Sequence, residues 1–206
     1  ELNPENIETK LGIVRSEIAM RNTNAAQNLL AEMDTSNPEI KYYQGIIFIL
    51  TGKYDEAKNN FEYISKLEKD PYEKLIAKSE KFLEKFKTFS LFVETDNSFL
   101  KVLLAQALTE TEEYSASIPI LFEVLNKQSN YRAAWIILGY NSLSLNENKE
   151  AIDALEQANT LAPKNPKTSF FLGLSYFADN QLDKAIYYLE KADEQGYEPK
   201  DQLNLK

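Results

Sequence analysis

Apolar residues recur along this 206-residue chain at three- and four-residue steps, in segments separated by short polar breaks. That period predicts amphipathic helices. The segments fall at about 4–20, 23–34, 38–51, 54–69, 71–87, 97–110, 114–126, 131–145, 148–161, 166–179, 182–194 and 199–205. Four starts carry the same punctuation: Asn3-Pro4, Asn37-Pro38, Asp70-Pro71 and Asn165-Pro166. A carboxamide or carboxylate oxygen there can take an orphan backbone N–H, and proline at the first helical position has no N–H to lose. Glu198-Pro199 is a weaker version that opens a short final helix. Short connections between segments join antiparallel helix pairs.

The pattern repeats. Trp135, Leu138, Gly139, Ala151, Leu155 and Ala158 are followed by Leu172, Gly173, Tyr176, Ala185, Leu189 and Ala192. Gly139 and Gly173, Ala151 and Ala185, Leu155 and Leu189, and Ala158 and Ala192 all stand at i and i+34. A fixed period of this size marks stacked helical repeats, none of which buries its apolar face alone. The small residue on the first helix of each pair predicts close approach of the second. Gly45, Gly52, Tyr54, Ala57 and Phe61 form a further copy, and Ala105, Ser117 and Leu121 another. The N-terminal pair is weaker: Ala26 and Leu30 fit, but Val14 stands where a small residue is expected.

The grid slips once. The step from Gly45 to Ala105 falls eight short of two periods. Helix 71–87 therefore reads as a first helix whose partner has no room, leaving it unpaired. After it, Phe89, Leu91 and Val93 alternate in a way that predicts extended chain. The expected organisation is 1–87 (two repeats plus an unpaired helix), an irregular joint at 88–97, and 98–206 (three repeats with a short C-terminal capping helix).

From these residues the chain resembles the tetratricopeptide repeat family, strongly over 132–199, well over 38–70 and 98–131, and weakly over 1–37. Ser142, where an aromatic is usual, and Ser117, where alanine is usual, depart from it. The resemblance implies an all-α, right-handed superhelical solenoid whose first helices line a concave groove for an extended or helical partner segment. It also implies that Trp135 is an inter-helix packing residue. The family's grip on the terminal carboxylate of heat-shock chaperones is not reproduced: the corresponding places hold Val102, Gln106, Ile137, Lys167 and Phe171, and only Lys167 agrees.

The groove so placed is apolar and aromatic. Its candidate residues are Phe99, Val102, Gln106, Ile136, Tyr140, Leu143, Lys167, Phe170, Leu174 and Phe177. Burying one such Phe or Leu against a partner is worth about 1.5–3 kcal/mol. The same residues could instead be covered by the protein's own chain. Phe89, Leu91 and Phe92 in the joint are too apolar for a solvent loop; they either seal the half-repeat or dock a partner or a second copy.

Composition narrows the chemistry. The chain has no Cys and no His, which excludes thiolate catalysis, disulfides and the usual zinc sites. Glu110, Glu112 and Glu113 read as a solvated corner, and Tyr42-Tyr43 and Tyr187-Tyr188 each as one packed and one outward ring. No catalytic, metal or cofactor site emerges. The net charge of −9 carries no basic patch for nucleic acid and disfavours anionic membrane surfaces. No apolar run is long enough to span a bilayer.

Glu1 in place of Met, with no targeting segment in this chain, leads to the expectation of a processed product. Lys-dominated basic residues with frequent Asn and Ile suggest a bacterial source, in either an exported or a cytoplasmic setting. The expected function is a noncatalytic scaffold holding a protein or peptide partner. The alternatives are a self-association or assembly module of a larger envelope or secretion complex, and a helper domain of an enzyme or regulator.

Overall fold

The computed structural model describes residues 7–91 and 97–198. Among them run eleven helices and no strand: α1 (Ile7–Ala19), α2 (Thr23–Ala31), α3 (Pro38–Leu50), α4 (Tyr54–Ser65), α5 (Lys69–Ser90), α6 (Asn97–Glu110), α7 (Tyr114–Lys127), α8 (Arg132–Ser144), α9 (Asn148–Leu161), α10 (Pro166–Ala178) and α11 (Leu182–Glu194). The Asn3-Pro4 start, Phe92 and Val93 of the joint, and the helix expected at 199–205 lie outside the described residues.

Two of the expected caps form as the sequence suggests. The Asn37 side chain accepts from the Glu39 N–H at 2.8 Å. The Asn165 Oδ1 accepts from the Thr168 N–H at 3.0 Å and from its hydroxyl at 3.1 Å. Each thereby satisfies a donor that the first helical turn leaves unpaired. Within the span assigned to α5, Asp70 is non-helical (φ −92, ψ 123), so the continuous helix begins at Pro71.

Five of the turns between successive helices also share one device. Arg21, Gly52, Glu112, Asn146 and Asn180 all have positive φ, between 59 and 75. The last three follow the same i, i+34 interval as the glycines. Next to Asn180, the Gln181 N–H reaches back to the Tyr176 carbonyl at 2.8 Å; next to Gly52, the Lys53 N–H reaches the Phe48 carbonyl at 2.8 Å. A left-handed residue that closes the last helical turn in this way starts the next helix almost at once.

By contacts the chain divides into two compact units, 1–111 and 112–206. In the first, α1 packs on α2, α2 on α3, α3 on α4, α4 on α5 and α5 on α6. Its core is aromatic: Phe61 and Phe82 stack at 4.3 Å, and Tyr42 meets them edge-on at 6.0 and 6.1 Å. In the second unit α7 packs on α8, α8 on α9, α9 on α10 and α10 on α11. A buried cluster of Ile152, Leu155, Phe171, Leu172, Tyr176 and Ala185 holds its last two pairs together.

Close approach is confirmed at the repeated glycines. A methyl group built on Gly173 would stand 2.6 Å from the Leu189 Cγ and 3.1 Å from its backbone nitrogen; one on Gly45 would stand 2.8 Å from the Phe61 ring.

Two expectations about the slipped segment need correction. Helix 71–87 is not unpaired, because it packs on both α4 and α6. It also runs on through Ser90, so Thr88 and Phe89 are helical and not extended. The hydroxyls of Thr88 and Ser90 turn inward along the helix, onto the carbonyls of Glu84 at 2.9 Å and Lys87 at 2.7 Å. The added turn carries Phe89 to within 6.4 Å of Phe99 on α6. A part-buried pair, Lys85 to Glu110 at 3.1 Å, ties the same two helices.

Candidate functional site

The expected groove residues lie on three first helices. Phe99, Val102 and Gln106 stand on α6 in the first unit; Ile136, Tyr140 and Leu143 on α8, and Lys167, Phe170, Leu174 and Phe177 on α10, stand in the second. They differ sharply in access. Val102 and Ile136 are buried, at 6% and 4% exposure, and belong to the core. Phe99 is half-buried beside Phe89. The Gln106 amide donates to Glu110 Oε1 at 2.8 Å, alongside the Lys85 ammonium.

The second unit carries the more continuous face. Tyr140, Phe170 and Leu174 are half-buried against the α9–α11 cluster. The Tyr140 ring meets Phe171 at 5.1 Å and Tyr114 at 6.1 Å. Phe170 is roofed by Tyr197, stacked at 4.1 Å, so part of this face is covered by the chain that follows α11. Leu143 and Lys167 are half-buried, and Phe177 is 64% exposed. In the joint, Phe89 is half-buried, Leu91 is exposed, and Phe92 lies outside the described residues.

Other sequence readings resolve individually. Trp135 is half-buried and not enclosed, and its indole N–H donates to the Ser129 carbonyl at 2.7 Å. It thereby fastens the α7–α8 connection. Tyr187 is exposed and Tyr188 half-buried, but Tyr42 and Tyr43 are both buried, because α3 is enclosed by several neighbours. The Tyr176 hydroxyl donates to the Glu156 carboxylate. Burial, then that carboxylate, pushes the Tyr176 phenol well above its ordinary value. Burial is also the leading cause of the smaller rise at Tyr188 and at Tyr114.

One feature has no counterpart in the sequence expectations. In the first unit α1, α3 and the start of α5 enclose an open cleft of about 1140 Å³. Tyr42, Tyr43 and Tyr72 line it. The Arg15 guanidinium sits 5.9 Å from the Tyr43 ring centre, and the Lys78 ammonium 5.7 Å from that of Tyr42. Glu8, Glu39 and Asp70 share the rim, so the cleft is polar and mixed in charge. The doubled tyrosine was the signal available in the sequence. Among the described residues no group of three or more acidic side chains is gathered to hold a metal, and no helix is long and apolar enough to cross a membrane.

Helices stacked in antiparallel pairs define an α-helical repeat protein. Over residues 138–199 the chain matches the family model described as Tetratricopeptide repeat. Similar solved structures include YrrB, described as a TPR protein with an unusual peptide-binding site (17% identity, 94% of this chain and 88% of that one, TM-score 0.48). MamA is another (20% identity, 89% of this chain and 94% of that one, TM-score 0.47). No curated protein matches the chain.

Proposed function

We propose that the protein is a noncatalytic scaffold that holds an extended or helical segment of a partner protein against its first-helix faces. The observation that supports this most is the run of Tyr140, Leu143, Leu174 and Phe177 along α8 and α10, with Phe177 64% exposed. A large aromatic left in water on a repeat face gains from being covered, by about 1.5–3 kcal/mol if fully buried. The polar cleft between α1, α3 and α5 in the first unit is a separate place for a partner.

The test is co-purification from native extract. Phe177→Ser and Tyr140→Ala should each weaken retention of a bound protein at least several-fold. Phe177 lies outside the packed cluster, so its replacement should leave the melting temperature nearly unchanged. Retention that survives both substitutions would contradict the reading.

A further inference from the structure

Phe170, Leu174 and Phe177 stand at i, i+4 and i+7 on α10, so they form one stripe along the helix. Their access is graded. Phe177 is 64% exposed, and Leu174 is half-buried. Phe170, at the start of the stripe, carries a second ring: Tyr197 lies on it with 4.1 Å between centres and 12° between planes. Val102 and Ile136, at the matching places on α6 and α8, are core residues, whereas Phe170 is only half-buried.

The residue that supplies this cover is not helical. The chain after α11 turns back toward α10 at Gly196, whose φ of 78 suits a residue without a side chain. The Tyr197 N–H closes the turn by donating to the Ala192 carbonyl at 2.9 Å. Gln195 pins it: the Ser169 hydroxyl donates to Gln195 Oε1 at 2.9 Å, and the Gln195 amide donates to the Pro163 carbonyl at 3.3 Å. An amide and a ring thus fasten the turn over the start of α10. The Phe61–Phe82 stack makes a contrast. Its rings lie at 4.3 Å and both are fully enclosed, whereas Phe170 and Tyr197 keep part of their surface in water.

We propose that Tyr197 occupies, from within the chain, a seat for an aromatic side chain of the partner, and that the partner displaces it to engage the whole stripe from Phe177 to Phe170. This rests on partner holding at the first-helix face and names what is held there. Paired aromatic rings gain more than their buried area alone supplies, so the segment that passes the start of α10 carries Phe, Tyr or Trp at that point. Tyr197 then sets a threshold. While it covers Phe170, the partner's apparent affinity is reduced by the fraction of molecules in which the seat is open.

The test uses a synthetic peptide of residues 192–198, blocked at both ends, with its binding followed by line broadening in proton NMR. The peptide should bind the Tyr197→Ala chain saturably and the unaltered chain several-fold more weakly. Adding Phe170→Ala to the Tyr197→Ala chain should abolish binding, as should Tyr197→Ala within the peptide. Gln195→Ala keeps the ring but removes both anchoring bonds, so it should bind the peptide with intermediate affinity. It also serves if Tyr197→Ala loses its cooperative melt. No saturable binding to the Tyr197→Ala chain, equal binding to that chain and the unaltered one, or binding that survives Phe170→Ala would overturn the proposal. So would a Tyr197→Ala chain that fails to fold together with a Gln195→Ala chain that binds no better than the unaltered one, since Tyr197 would then be a structural seal. Co-purification separates this from partner holding itself. A protein lost on Phe177→Ser but held no more strongly by Tyr197→Ala would remove the displacement and leave partner holding standing.

Discussion

At the scale of the residue, the repeat is held by a few positions where size or conformation is fixed. Gly173 is one: its Cα lies so close to Leu189 that a methyl group would press on both the side chain and the backbone nitrogen. Backbone cannot yield as a flexible side chain can, so Gly173→Ala should destabilise the second unit by roughly 1–3 kcal/mol. Chemical denaturation read against the unaltered chain would measure this. The contact was legible in the sequence because the glycine recurs at one fixed interval and the leucines opposite recur at the same one. Only a repeated close crossing of two helices asks for both.

Tyr176 is the second such residue. It is buried, and its hydroxyl donates to Glu156. Its phenol is raised above the ordinary value of 10.0, first by burial and then by that carboxylate. Folding therefore favours the protonated form. The stabilisation is fully present below about pH 10, the range of an unfolded tyrosine, and is lost as pH rises toward the folded value. The melting temperature should fall above pH 10, and Tyr176→Phe should flatten that fall. At neutral pH the same substitution should cost about 1 kcal/mol through the lost hydrogen bond. An unchanged alkaline slope in the variant would place the effect elsewhere.

At the scale of the element, helix existence was legible and helix company was not. The 3.6 period and the Asn-Pro starts located all eleven described helices, because caps and apolar faces are local properties. The slipped segment was misread for a physical reason. Phe89, Leu91 and Val93 alternate over only five residues, too short a window to separate strand from helix, and the side-chain hydroxyls of Thr88 and Ser90 are satisfied inside a helix. Counting residues also showed a missing partner for α5 without showing that α6 would pack on it.

The Lys85–Glu110 pair records that packing. Its side chains are 10% and 17% exposed, and Gln106 donates to the same carboxylate oxygen. Glu110→Ala would leave the ammonium buried without its counter-charge and should cost about 3 kcal/mol. Pairing Glu110→Leu with Lys85→Met should recover much of that loss. A full double-mutant cycle on the urea midpoint would separate the pair from the packing around it.

At the scale of the whole molecule, the periodicity was a sound guide to class and a partial guide to surface. It could not separate groove from core, since one helical stripe supplies both. Val102 and Ile136 fell to the core, Gln106 to a polar cluster and Phe170 beneath Tyr197, whereas Phe177 stayed exposed. The cover on Phe170 comes from beyond the end of the following helix, outside any local window. The cleft lined by Tyr42, Tyr43 and Tyr72 was missed for a related reason: its walls come from three helices that the sequence alone does not bring together.

Whether the first-helix face holds a partner can be read by site-directed photo-crosslinking. A photoreactive side chain would replace Phe177 on α10 or, as a control, the exposed Asp153 on the second helix of the preceding pair. A partner held on that face should give a discrete protein adduct from position 177 and none from position 153, with the 177 adduct lost on Tyr140→Ala. Adducts from position 153 alone, or equal adducts from both, would contradict it.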